Sequence, residues 1–269
     1  MRLLLILLAL IGLGVGVAAP PILSPVTPRE LVFPEDFGAH ENFRIEWWYV
    51  TGWLETADQK TVGFQVTFFR PTTEYDQDNP SQFAPKRLII GHAAVSDPAV
   101  GRLLHVEKTA REGFGLAYAK AGNTDVKLDD WYFIRDTDGS YRTVVQGNDF
   151  SMELRLEPSQ PLMLQDQAGF SRKGPGSEQA SYYYSEPHLK VTGKMVRAGN
   201  TTEVKGTAWL DHEWSSEYLD PNAEGWDWTG INLDDGSALM AFQIRGKKGE
   251  KIWAYAGLRD ASGRMTIFS

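Results

Sequence analysis

The chain contains no cysteine among its 269 residues. This excludes disulfides, thiol catalysis, thiolate metal ligands and a lipid attached at an N-terminal Cys. A secreted eukaryotic chain of this size usually carries disulfides, so the absence points toward a bacterial envelope protein. The sequon Asn200-Thr201-Thr202 is therefore read as incidental. Positive charge is also short: 27 Lys and Arg against 35 Asp and Glu leave a net charge of −8. A nucleic-acid partner wants a basic face, and electrostatic docking on anionic lipid wants the same, so both are disfavoured. Helical periodicity with caps is missing, as are the G-x-S-x-G elbow, the phosphate-binding loop and G-x-G-x-x-G. The five histidines (His40, His92, His105, His188, His212) stand isolated without metal-ligand spacing. Asp211-His212-Glu213-Trp214-Ser215-Ser216 has Ser where H-E-x-x-H needs its second His, so neither a metal nor another cofactor is expected.

Aromatics are abundant, at 12% with nine Trp, and side chains this large tend to wall barrels and apolar pockets. One Arg followed by an apolar run from Leu3 to Ala19, broken at Pro20, describes a signal peptide over residues 1–19 and a secreted or periplasmic protein. An uncleaved N-terminal anchor is the alternative. No later segment is long and apolar enough to cross a membrane, so the mature chain is expected to be soluble. Pro20, Pro21, Pro25, Pro28 and Pro34 make residues 20–39 an extended linker. Beyond Ile45, short alternating runs are punctuated by turns such as Asp136-Thr137-Asp138-Gly139 and Asp234-Asp235-Gly236, which predicts an all-β sandwich or barrel.

An internal repeat runs through this pattern. Trp48-Tyr49-Val50-Thr51-Gly52 resembles Trp226-Asp227-Trp228-Thr229-Gly230, and the strand at Gly63–Arg70 has an echo at Ser237–Arg245. Val95-Ser96-Asp97 matches Leu258-Arg259-Asp260. The order predicts a first unit over 40–204 and the start of a second over 205–269. The second unit ends early, and an open apolar edge is an aggregation liability, which suggests a piece of a longer protein.

Two clusters could carry chemistry. In Ile45–Leu54, read as a strand, Glu46, Trp48, Val50 and Leu54 face one way and Trp47, Tyr49, Thr51 and Trp53 the other. In Thr207–Trp214, Trp209, Asp211 and Glu213 share one face, and Leu210, His212 and Trp214 the other. A carboxyl among tryptophans would have its pKa raised and could act as an acid, and an imidazole beside an indole could relay a proton. Alternatively, Glu46 and Asp211 cap backbone groups or pair with Arg. In Ser181-Tyr182-Tyr183-Tyr184-Ser185, Tyr182 and Tyr184 would line a lumen or stand on an amphipathic edge strand.

His40 with Glu46-Trp47-Trp48-Tyr49, then Gly91-His92-Ala93-Ala94-Val95-Ser96-Asp97, Ser181–Ser185 and Leu210–Trp214 together resemble the AttH/carotenoid 1,2-hydratase family, secreted lipocalin-like proteins. The resemblance implies tandem calycin-like antiparallel barrels, the second incomplete. It implies an apolar terpenoid, carotenoid or lipid-like ligand in a barrel lumen, and possible hydration of an isolated C=C bond by a hydro-lyase. His212, Asp211 and Trp214 are the catalytic candidates on that resemblance. The ligand-binding candidates are Trp47, Trp48, Tyr49, Trp53, His92, Tyr182, Tyr184, Trp228 and Gln243, with Glu46 a structural acid. Hydratases of the family place an acid on the strand after the His/Trp motif, where this chain offers Gln243. That departure favours the second reading, a non-catalytic envelope carrier or accessory of an ABC-type export permease. For a secreted hydrolase there is no nucleophile–base pair.

Overall fold

The computed structural model describes residues 23–217 and 219–268. The expected signal peptide, residues 1–19, lies outside them. Among the described residues there is no α-helix, only a 3₁₀ turn at Glu35–Phe37. The first sheet comprises β1 (Ile45–Thr56), β2 (Thr61–Phe69), β3 (Leu88–Ser96), β4 (Leu103–Arg111), β5 (Ala117–Ala119), β6 (Asp125–Leu128) and β7 (Trp131–Arg135). It continues with β8 (Tyr141–Gln146), β9 (Phe150–Glu157), β10 (Met163–Leu164), β11 (Phe170–Arg172), β12 (Ala180–Arg197) and β13 (Asn200–Ser215). A second sheet holds β14 (Ala223–Asn232), β15 (Ala238–Gly246), β16 (Lys251–Arg259) and β17 (Met265–Phe268).

The first sheet runs β4-β3-β2-β1-β13-β12-β9-β8-β7-β6-β5, with β10 and β11 added beside β12. Its neighbours are antiparallel, and the long-range join is β1 against β13, Ile45 opposite Ser215 through Thr56 opposite Val204. The sheet curls into a nearly closed barrel. At the seam β3 and β4 lie against β5 and β6, and a Cβ on Gly91 of β3 would lie 2.9 Å from the ring of Trp131, which reaches in from β7. Glycine at this point lets the backbone reach the indole.

The alternation expected of Ile45–Leu54 is present. Glu46, Trp48, Val50 and Leu54 point inward and are buried, and Val62, Phe64, Val66 and Phe68 join them from β2. With Trp131, Phe133, Tyr141, Leu154, Leu156, Val191 and Leu210 they fill the barrel as a packed core. Each large apolar side chain so buried contributes roughly 1.5–3 kcal/mol. The lumen expected to receive a ligand is thus largely occupied by the protein's own side chains.

Two further expectations change. The proline-rich segment from residue 23 to 39 is more than the extended linker expected, because Val26 and Phe37 pack on Phe170, Ala180, Tyr182, Tyr184 and Trp214 and stopper one end of the barrel. Thr27 and the Tyr182 hydroxyl exchange hydrogen bonds of 3.2 and 2.6 Å. The strand that begins at Asn200 stays in the first sheet to Ser215, so that unit runs past residue 204 and the second sheet starts at Ala223. The repeat does correspond to like elements. β1-β2-β3 and β14-β15-β16 are both antiparallel meanders, with Gly52 opposite Phe64 in one and Gly230 opposite Met240 in the other. The second sheet packs its apolar face on the outside of the first through Tyr183, Trp209, Met240, Phe242 and Ile244.

Candidate functional site

Because β1 and β13 pair with Trp48 opposite His212 and Tyr49 opposite Asp211, the alternation of both strands sorts their polar residues onto two sides. Inward lies a buried network around Glu46. Its Oε1 meets His40 Nδ1 at 2.7 Å and His212 Nε2 at 2.8 Å, and its Oε2 accepts from Arg70 Nε at 3.1 Å, Arg70 Nη2 at 3.0 Å and the His40 backbone N–H at 2.9 Å. His40 Nε2 faces Asp36 Oδ1 at 2.9 Å, and Asp36 is held by Arg29 at 2.8 Å. The Tyr184 hydroxyl lies 3.0 Å from His212 Nδ1. Two indoles cover the rings: Trp214 stacks on His40 at 3.7 Å and Trp48 on His212 at 4.6 Å.

Electrostatics sets the protons here. Burial raises the Glu46 carboxyl, but the His40 charge, both imidazole hydrogen bonds and Arg70 outweigh it and hold it well below the ordinary carboxylate range. Burial lowers His40, yet Glu46 and Asp36 on either side raise it on balance, so its ring is an imidazolium between two carboxylates. His212 is lowered, chiefly by burial. It is neutral, donating from Nε2 to Glu46 and accepting at Nδ1 from Tyr184.

Among the described residues, His40, Glu46 and His212 form the group whose donor atoms could converge on an ion, all within 4.8 Å of one another. Sequence spacing had left these histidines isolated. The contacts of 2.7 and 2.8 Å are hydrogen-bond lengths, whereas ligands about 2.1 Å from a tetrahedral zinc stand about 3.4 Å apart. With Arg70 on the same carboxylate, the set closes through protons.

Outward lies a cavity of about 410 Å³ between the two sheets. Trp47 and Tyr49 of β1, Gln65, Thr67 and Phe69 of β2, Tyr183 of β12, and Asp211 and Glu213 of β13 form one wall. Trp226 and Trp228 of β14 with Phe242 and Ile244 of β15 form the other, and Ile45, Lys173 and Leu219 complete it. Trp228 Nε1 donates to the Tyr183 hydroxyl at 3.0 Å, and Tyr49 meets Trp228 edge to face at 5.4 Å.

Two acids line this cavity, and Asp211, 3% exposed, is the one without a cation paired to it. Its Oδ1 accepts from Ser185 Oγ at 2.6 Å and Trp209 Nε1 at 2.7 Å. Burial pushes its carboxyl up to about 7, against hydrogen bonds from Ser185, Trp209 and Tyr183 that lower it, and the Glu213 charge adds to the rise. Glu213 is paired with Lys173 at 3.0 Å and also accepts from Ser181. The Lys173 ammonium lies 4.3 Å from the Phe242 ring centre and 4.7 Å from that of Tyr183.

The structure thus divides the residues singled out from sequence. Trp47, Tyr49, Asp211 and Trp228 line the cavity. His212 and Trp214 lie on the opposite face of β13, fully buried in the network with Tyr184, and are not brought together with Asp211. Trp48 is core, and Tyr182 packs under the N-terminal segment. Trp53 is 48% exposed near the far end of β1. His92 is half-exposed on β3, beside Phe69 but off the cavity wall. Gln243 alternates with the buried Phe242 and Ile244 along β15 and is not on the cavity wall. The tyrosine run is no edge strand: β12 is flanked by β13 and by β10 and β11, and Tyr183, the middle residue, is the one in the cavity. Lys173, Glu213 and Tyr183 were not among the sequence candidates. Parity along the strand already places Glu213 on the Asp211 face, though without a role, whereas Lys173 arrives from a loop with no local signal.

The family model described as AttH-like matches residues 24–269. A crystal structure assigned as an AttH protein from Nitrosomonas europaea is 66% identical, covers 92% of this chain and 75% of its own, and superposes with a TM-score of 0.86. Kievitone hydratase from Nectria haematococca, at 11% identity, covers 93% of this chain and 72% of its own with a TM-score of 0.67, and shows a common fold. Comparison with curated sequences yields no match. On the family match and the near relative, this chain belongs to the AttH-like family of lipocalin-like proteins.

Proposed function

We propose that the protein binds an apolar terpenoid or lipid-like molecule in the cavity between its sheets and hydrates an isolated C=C bond there. The observation that carries this reading is Asp211, a buried carboxyl half-protonated near neutrality, set in a wall of Trp47, Tyr49, Tyr183 and Trp228. Adding water to an alkene needs an acid strong enough to give up a proton, a surface that tolerates a carbocation, and water for capture. Asp211 would transfer its proton to the less substituted alkene carbon. The cation then formed on the other carbon faces π-clouds that stabilise it. Water attacks that carbon, and its surplus proton returns to the Asp211 carboxylate, so alkene and water are consumed, alcohol forms and the acid is restored. The fold shared with kievitone hydratase makes the reading reasonable without identifying a substrate. In this scheme the Glu46–His40–His212 network positions β1 against β13 and takes no proton from the substrate.

A second reading, a carrier of lipophilic cargo in the envelope, is favoured by the Lys173–Glu213 pair, which neutralises the other acid in the cavity. One experiment separates the two. Purified protein is offered prenylated phenols and acyclic terpenoid alkenes in H₂¹⁸O, and product mass and bound ligand are both measured. Incorporation of ¹⁸O, lost by roughly 100-fold or more in Asp211→Asn, supports the hydratase. Bound alkene without incorporation leaves the carrier. Neither binding nor turnover overturns both readings.

A further inference from the structure

The barrel end at which β1 begins carries an apolar patch distinct from the cavity. Phe83, Phe114 and Leu116 are 66%, 52% and 59% exposed. The two phenylalanine rings stack with centroids 5.1 Å apart. The Arg111 guanidinium lies 4.9 and 5.0 Å from their centres and donates to the Phe83 carbonyl at 2.9 Å. Phe114 sits at φ 57° between Gly113 at φ 132° and Gly115 at φ 69°. A bulky residue rarely takes that left-handed conformation. The exposed ring is therefore held out by its own backbone and by a packed cation, not left out for want of space.

The same rim receives the start of the described chain. Ser24 N–H donates to the Asn42 carbonyl at 2.8 Å, Arg87 Nη2 to the Glu41 carbonyl at 3.1 Å, and Glu112 N–H to the Arg87 carbonyl at 2.9 Å. These links run from the N-terminal segment to the loop that bears Phe114. Immediately upstream in sequence is the apolar run Leu3–Ala19, separated from Leu23 by Pro20, Pro21 and Ile22. Four residue steps span at most about 14 Å.

We propose that this rim docks on the surface of a lipid bilayer, with Phe83, Phe114 and Leu116 entering the interface and Arg111 at headgroup level. The course of the chain argues for this occupant: as the uncleaved anchor, the seventeen-residue apolar run Leu3–Ala19 would enter a bilayer within about 14 Å of Leu23, which leads onto this rim. Aromatic side chains beside a guanidinium suit the interface, where one end is apolar and the other wet. Charge does not drive the contact: Arg87 and Arg111 are offset by Glu41 and Glu112 on the same rim and by the acidic stretch Glu74–Asp78. Zwitterionic lipid should therefore suffice, and salt should matter little.

The lack of native cysteine makes the test direct. Full chains carrying Phe114→Cys, Leu116→Cys or, as a control at the opposite end of the barrel, Asp58→Cys are labelled with an environment-sensitive nitrobenzoxadiazole dye and added to phosphatidylcholine vesicles. Blue-shifted emission at positions 114 and 116, with none at 58, is expected, and 0.5 M salt should leave it in place. Unchanged emission at 114 and 116, or an equal shift at 58, overturns the proposal.

Discussion

Glu46 and Asp211 lie on paired strands, and burial by itself would push both carboxyls up. Glu46 is surrounded by an imidazolium, a guanidinium and two further N–H donors, so it stays ionised. Asp211 has hydroxyl and indole donors but no cation on it, and its carboxyl rises to about 7. Glu186, buried beside the Tyr141 hydroxyl, is pushed up to about 7 by burial as well. The folded state therefore holds protons that the unfolded chain releases near pH 4. Stability from these two groups is complete below the unfolded values and lost as pH rises through about 7. Replacing Glu186 or Asp211 by its amide should each remove on the order of 3 kcal/mol of the stability difference between pH 5 and pH 8. Urea midpoints at the two pH values provide the measurement. If wild type and the amide variants fall in parallel, the two acids are ionised throughout.

At the scale of elements, the β1–β13 pair governs the site, because it sends Asp211 to one sheet face and His212 to the other. Its strands approach closely at two glycines. A Cβ on Gly206 would lie 2.0 Å from the Trp53 carbonyl oxygen, and one on Gly52 would lie 2.2 Å from that of Thr207. Neither atom belongs to a flexible side chain, so the backbones themselves would have to part. Gly206→Ala should cost about 1–3 kcal/mol by this overpacking. It should also speed amide exchange along Leu54–Thr56 and Val204–Ala208 before it touches β7 or β8. A stable, normally protected Gly206→Ala protein would show that the strands can separate without cost. The N-terminal segment acts at the same scale, covering Trp214 and Tyr182 and supplying Asp36 to the network.

Over the whole molecule, a nearly closed barrel carries a four-stranded open sheet on its outer wall, and the candidate cavity is the imperfect seam between them. Trp209 is the main bridge: it is 2% exposed, donates to Asp211, meets Trp228 edge to face at 6.3 Å, and sits where a Cβ on Gly230 would touch it. Trp209→Ala should cost roughly 3–5 kcal/mol. Hydrogen exchange should rise across 223–268 far more than across 125–157, because the second sheet loses its footing while the barrel core stays intact. Uniform acceleration over both sheets would instead mean that they unfold as one body. A bound apolar ligand, by filling the seam, should reverse part of that loss.

Local periodicity was enough to place most of the long strands, the hairpin turns and the two faces of Ile45–Leu54, because a strand's side chains alternate whatever it packs against. It also exposed the resemblance between β1-β2-β3 and β14-β15-β16. It missed the short β10, β11 and β17, and it left Ser181–Ser185 open between a lumen wall and an edge strand rather than joining it to the rest of β12, because apolar and polar residues do not alternate cleanly there. Which of two apolar faces meets a core and which lines a cavity is not a local property. His212 reaches Glu46 across 166 positions, and Lys173 reaches Glu213 from a loop, only because β1 closes on β13 and the second sheet folds back on the first. The amino-acid order therefore settled the family, the strands and the acids in play. Tertiary packing decided that Asp211 faces a cavity and that Glu46 and His212 do not, because burial and charge pairing arise only when distant strands meet.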